Sequence, residues 1–258
     1  MISQLKELYL YREMLKNLVS MELRARYKGS VLGFVWTFIN PLLMLVIYSF
    51  VFSFVMRIKI ENYSMFLFVG LLPWTFFQNS ILMSSPCIVS NGNLVKKIYF
   101  PTEILPLSIV IANLLNYIFS LAILLPALYL FGIKLTGWIS LFPIILLVQL
   151  ILVSGISLLI SSLNVYFRDL QHIVNVFLMA WFYITPILFP PTVIPENYKW
   201  LIEANPMAPI IIAYQDIFFY GKSPSGTSLF EVFLVALVIS VTGFLIFGEL
   251  KRNFAEEI

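Results

Sequence analysis

The sequence predicts an all-α integral membrane protein: six transmembrane helices, an N-terminal amphipathic interface helix, and re-entrant outer helices before the last span. Three observations lead there. Apolar residues fill 60% of the 258 positions and charged residues 11%, against roughly 45–50% and 25% in soluble domains. Uncharged runs recur, and positions 31–56 form one of 26 residues. As a helix that run is about 39 Å long, enough to cross a hydrocarbon core of ~30 Å. Finally, the cations cluster on alternate connections between the runs, as they do in proteins threaded through a bilayer.

Segment 1–29 reads as the interface helix. Leu5, Leu8, Tyr11, Leu15, Leu18 and Val19 recur at three- and four-residue steps, with Lys6, Glu13, Lys16, Asn17, Ser20 and Arg24 between them. It runs through a basic cluster (Arg24, Arg26, Lys28) and a Gly29–Ser30 hinge into the first span, 31–56. That continuity favours a helix lying on the membrane surface over a soluble helix packed on a partner. The segment lacks the short basic head and single apolar run of a secretory signal.

The second uncharged run, 63–95, exceeds one crossing and is interrupted by Pro73, Pro86 and the polar stretch 90–93. The second span is therefore placed at 64–88, followed by an inner loop, 90–103, with a short helix and a turn at Pro101. Spans three to six follow at 104–131, 138–163, 173–189 and 229–248. Segment 190–228 is too long for a turn and too apolar for a solvated loop, and its stretch 207–220 is too short to cross. Irregular backbone at membrane depth survives only when buried in protein or facing a wet cavity. The segment is thus read as two short re-entrant helices, broken near Asn205–Pro206, at the outer mouth.

Six crossings place both termini on one side. The inner segments carry Lys6, Arg12, Lys16, Arg24, Arg26, Lys28, Lys96, Lys97, Arg168, Lys251 and Arg252; the outer ones carry Arg57, Lys59, Lys134, Lys199 and Lys222. Eleven against five puts both termini in the cytoplasm.

Several chemistries are excluded. A net charge of +3 is too small for a nucleic-acid binder. Cys87 is the single cysteine, so neither an internal disulfide nor a zinc site is expected. Glu103, Glu231 and Glu249 sit at span ends and no Asp, Glu, Lys or Arg lies mid-span, which disfavours ion coupling. The GKS at 221–223 lacks the glycine a phosphate loop needs five residues earlier, where Asp216 stands. His172, alone at the inner surface, reads as a solvated or capping residue. The amides Asn40, Asn113, Asn116 and Gln149 lie mid-span and read as helix–helix hydrogen-bonding groups. Arg168–Asp169 is either a functional latch or a local ion pair. With no nucleophile, paired carboxylates or metal cluster, no catalytic residue is assigned. The body fits a channel, a scaffold, or the membrane half of a machine driven by another chain.

Four ordered motifs carry a resemblance: RYKGSVLGFVWTFINPLL at 26–43, KKIYFPTEILPL at 96–107, NVYFRDL at 164–170 and NPMAPIIIAYQDIFFYG at 205–221. Together they resemble the permease subunits of type-2 ABC exporters, in the branch that exports O-antigen, capsular polysaccharide and teichoic acid. The resemblance implies a homodimer working with two copies of a cytosolic ABC ATPase. ATP and magnesium would bind the ATPase, leaving this chain without a cofactor or metal. It further implies that the inner loop docks on the ATPase through Asn93, Leu94, Lys96, Lys97 and Pro101, with Arg168 and Asp169 alongside. The re-entrant pair would form an outer gate through Asn205, Pro206, Tyr214 and Gln215. Some members carry a basic residue near Tyr214–Gln215, and this chain has none there.

The implied substrate is an undecaprenyl-linked or otherwise lipid-linked glycan moved out of the cytoplasm; the alternative within the fold is a permease for drugs or small lipids. On the first span Trp36, Asn40, Met44 and Tyr48 recur every four residues. This stripe is expected to face the dimer axis and line the channel, with Trp74 and Phe77 nearby and Leu45 turned to lipid. Aromatic faces suit a sliding glycan because they give broad contact without deep hydrogen-bonded wells.

Overall fold

Four helices are long enough to cross a bilayer core by themselves. They appear in a computed structural model that describes residues 7, 9–25, 32–48, 50–51, 61–193 and 195–258. In chain order the helices are α1 (Arg12–Ala25), α2 (Trp36–Tyr48), α3 (Tyr63–Ser84), α4 (Cys87–Ser90), α5 (Gly92–Lys97) and α6 (Ile104–Leu130). Then come α7 (Phe142–Tyr166), α8 (Leu170–Ile184), α9 (Lys199–Glu203), α10 (Met207–Gln215), α11 (Gly226–Leu250) and α12 (Phe254–Glu257). There is no strand among the described residues. At 1.5 Å per residue, α3, α6, α7 and α11 are about 33, 40, 37 and 37 Å long. The apolar helices α2 and α8 are shorter, about 20 and 22 Å.

The bundle has two ends, each stitched by hydrogen bonds between distant segments. At one end Asn62 donates to the carbonyl of Phe131, and Thr136 to that of Gly221. At the other Ser85 donates to Asn164, and Tyr166 to the carbonyl of Leu250. The second end also carries α1, α5 and α12 (the terminal end, hereafter). Its own apolar cluster joins Leu18 of α1 to Ile88, Phe100, Ile104, Val165, Phe247 and Phe254. On the exposed face of α1, Lys16 lies 2.9 Å from Glu13. That hydrogen bond holds the Glu13 carboxyl below its ordinary range.

The main core surrounds α3, whose residues from Tyr63 to Trp74 are all buried. Helices α2, α6, α7, α8 and α10 pack against it. Such all-round burial is why α3 is apolar on every side instead of amphipathic. Beside it α7 and α11 cross closely, because the crossing is made at glycines. A Cβ on Gly155 would stand 2.5 Å from the Ser240 Cα, and one on Gly243 would stand 2.3 Å from the Gly155 carbonyl oxygen. Outside this core large apolar side chains face outward on α8, at Ile173, Val176, Phe177, Met179 and Tyr183, and on α2, at Leu42, Leu43, Val46 and Ile47. A water-soluble monomer rarely presents such continuous apolar faces.

Three expectations from the sequence need correction. Pro73 does not interrupt the uncharged run 63–95, because α3 continues through it and packing on all sides supports the turn. The fifth span's helix stops at Ile184 instead of 189. Pro186 forces the preceding Thr185 into an extended conformation, with ψ 138°. The last helix begins at Gly226 instead of 229, because the Ser225 hydroxyl caps it by accepting from the Ser228 N–H. The Gly29–Ser30 hinge, Arg26, Lys28 and the far part of the first span lie outside the described residues.

Candidate translocation path and coupling end

The break in the 190–228 segment is built by Asn205. Its side-chain oxygen accepts from the Trp181 indole at 2.7 Å and from the Met207 N–H at 2.9 Å, and its amide donates to the Thr185 hydroxyl at 2.9 Å. Pro206, half-buried, then starts α10 with its φ already helical. Further along, the Tyr214 hydroxyl donates to Gln149, which donates in turn to the Pro73 carbonyl, both at 2.8–2.9 Å. Gln215 donates to the Pro186 carbonyl at 2.9 Å. Asn205, Tyr214 and Gln215 are thereby brought together as buried pins that hold α10 against α3, α7 and α8. The segment ends where Gly221 takes a left-handed conformation and Lys222 pairs with Asp216 at 3.3 Å.

Trp74 and Phe77, expected beside a channel, are 1% and 0% exposed. Their rings meet each other at 5.2 Å, Phe77 meets Trp181 edge-on at 5.1 Å, and Trp74 meets Phe182 at 5.8 Å. They are the aromatic seam between α3 and α8. Trp181, which sequence reasoning passed over, joins this seam to Asn205. The signal available for it was a tryptophan midway along an apolar run, five residues before Pro186.

The stripe on α2 divides. Asn40 and Met44 are exposed, Trp36 is half-buried, and the side chain of Tyr48 lies outside the described set. Leu45, expected to face lipid, is 9% exposed and belongs to the main core, because α2 leans on α3 and α6. Asn40 and Met44 open onto a cleft of about 430 Å³ between α2, α3 and α6. Its other polar walls are Thr75, Asn79, Asn113, Asn116 and Ser120. Phe76 and Tyr117 stack at its back, with centroids 5.8 Å apart and planes within 6°.

At the terminal end the residues expected to meet an ATPase separate by role. Asn93, Lys96, Lys97, Arg168 and Asp169 are exposed, whereas Leu94 packs into the terminal cluster and Pro101 is buried. No ion pair joins Arg168 to Asp169 among the described residues. The sequence did not single out Ile98, Tyr99 and Phe167, which are 53%, 88% and 67% exposed. Beneath them the α5–α6 connection is tied to the C-terminal segment by Lys251, whose Nζ lies 2.7 Å from the buried carboxylate of Glu103.

The family follows from comparison of the whole chain. A family model described as ABC-2 type transporter matches residues 13–219. The chain belongs to the ABC-2 type transporter family. Among relatives of this ABC-2 transporter chain is a Myxococcus xanthus protein named O-antigen export system permease protein RfbA, 40% identical over 260 residues and covering all of both chains. A Klebsiella pneumoniae protein of the same name is 36% identical over 249 residues, covering 96% of this chain and 95% of its own. A more distant Escherichia coli relative, named Polysialic acid transport protein KpsM, is 25% identical over 230 residues, 86% and 87% of the two chains. The matched region takes in Asn205, Tyr214 and Gln215 and the exposed Asn93, Lys96, Lys97, Arg168 and Asp169 of the terminal end.

Proposed function

We propose that this chain is the membrane-spanning subunit of an ATP-driven exporter that moves a lipid-linked polysaccharide out of the cytoplasm. The observation that carries the reading is similarity along the whole chain to relatives named for O-antigen export, at 40% and 36% identity. The fold supports it. Four long apolar helices and two shorter ones, α2 and α8, account for six crossings if the short ones are extended by flanking residues. The excess of cations at the terminal end supports cytoplasmic termini.

The chain acts as a homodimer, and the outward apolar faces of α2 and α8 are suited to meeting a second copy or lipid. Energy comes from two copies of a separate cytosolic ATPase, which holds the nucleotide and magnesium. Its docking surface is the loop bearing Asn93, Lys96 and Lys97, together with Arg168 and Asp169; Leu94 and Pro101 set the loop's shape. The segment pinned by Asn205, Tyr214 and Gln215 closes the outer mouth.

Deletion of the chain tests this reading. Cells lacking it should retain lipid-linked glycan at the cytoplasmic face of the membrane, and plasmid-borne copies should restore surface glycan only with the ATPase present. Normal surface glycan in the deletion strain would overturn the reading.

A further inference from the structure

The cleft between α2, α3 and α6 is unlike the rest of the span region in its chemistry. Asn113 and Asn116 lie about 14 and 18 Å along α6, close to the middle of the helix. Asn40 of α2 and Thr75 and Asn79 of α3 face the same space. Several of these groups satisfy themselves. Thr75 donates to the Leu71 carbonyl, Ser120 to that of Asn116 and Asn113 to that of Ile109. Asn116 does not: its amide oxygen and nitrogen are both buried, and neither has a hydrogen-bond partner among the described residues. Buried polar groups are nearly always paired, and an amide orphaned in apolar surroundings is costly.

The chemistry of the walls limits what could supply the missing bonds. Among the described residues no carboxylate, lysine, arginine or histidine lines the cleft, so its described walls match neither a phosphate nor an ammonium group. An amide offers donors and acceptors together, which complements hydroxyls that do the same. The remaining wall, Leu43, Met44, Ile47 and Leu72 before the Phe76–Tyr117 stack, is apolar and suits C–H faces. A sugar ring has hydroxyl edges and C–H faces. The volume, about 430 Å³, falls within the range of small-molecule sites.

Resting on the export reading above, we propose that this cleft is a subsite for an uncharged, hydroxyl-rich sugar of the passing glycan, with Asn116 as its central contact and Asn40 and Met44 at its mouth. It is assembled from α6 and from the Thr75–Asn79 face of α3. The Trp74–Phe77 face takes no part in it.

The test uses the full chain with its partner ATPase in cells making the lipid-linked glycan. A photo-cross-linking benzoylphenylalanine is placed at Asn79, and a control at Ile118, which is exposed on α6 outside the cleft. Illumination during export should yield adducts that stain for sugar at position 79 and none at 118. Separately, Asn116→Leu should lower the export rate about tenfold, the scale of one lost buried hydrogen bond. Its thermal unfolding midpoint should be equal or higher, since two unpaired polar atoms are removed, and Asn116→Gln should recover part of the rate. Wild-type export by Asn116→Leu would overturn the subsite, as would adducts at position 79 with lipid or a second copy alone. If Asn116→Leu loses both export and stability, the adduct at position 79 decides. Export that persists without the chain would instead defeat the functional reading, so the two failures are read separately.

Discussion

Asn205 satisfies three partners at the turn between α9 and α10, all of them in or beside the core. Replacing it with alanine strands the Trp181 indole and the Met207 N–H, at about 1–3 kcal/mol for each group left unpaired, while the Thr185 hydroxyl keeps its bond to the Trp181 carbonyl. Asn205→Ala should therefore lower the unfolding midpoint of the purified chain clearly, while Tyr198→Ala, at an exposed site, should leave it unchanged. Equal midpoints would remove the pinning role. Glu103 and Lys251 make a second residue-scale case, a 2.7 Å pair whose carboxylate is 2% exposed. Lys251→Met leaves that carboxylate uncompensated and should cost up to about 3–5 kcal/mol, and adding Glu103→Gln should recover much of the loss. Thermal melts of the two variants check it. At this scale the sequence revealed which positions were polar but not their partners. Gln149 bridges helices as an amide in an apolar run should, whereas Asn113 donates to the Ile109 carbonyl of its own helix as well as reaching the Met83 sulfur, and Asn116 finds no partner among the described residues. Such choices depend on which helix stands opposite, and spacing along one chain does not contain that information.

Helices α7 and α11 show the same limit at the scale of elements. Their lengths were legible because uncharged runs of the right size have one stable solution in lipid. Their crossing at Gly155 and Gly243 was not, since glycine in such a run is also compatible with a kink or a plain face. Gly155→Leu should force the helices apart against the Ser240 backbone, costing about 1–3 kcal/mol or more. The yield and melting of the purified variant measure this, and Gly137→Leu, with open space around it, is the control. At the terminal end, exposed Lys96 and Lys97 on α5 give a functional counterpart. Lys96→Glu with Lys97→Glu should leave membrane insertion intact, because both lie outside the apolar helices, yet uncouple ATP hydrolysis from export. If the ATPase co-purifies with the variant and export is normal, the lysines serve only to hold the loop to anionic lipid, at about 1 kcal/mol each.

For the whole molecule, under the proposed reading, work is supplied by a separate ATPase, a division suited to a chain whose charged residues sit at span ends. The fold provides a rigid core around α3, an amide-lined cleft beside it, a pinned broken helix at one end and exposed basic and aromatic residues at the other. The arrangement of these parts was legible only in outline. Asn40 and Met44 of the expected stripe lie on an open face beside the cleft, whereas packing draws Trp74, Phe77 and Leu45 into the core, which spacing along one helix does not reveal. The most direct test is transport in proteoliposomes holding the chain with its ATPase and a labelled lipid-linked glycan on the ATPase side. Added ATP should move label to the opposite side, and vesicles with either protein alone should move none. Transport by this chain without the ATPase, or label that stays on the ATPase side with both proteins and ATP present, would contradict the account.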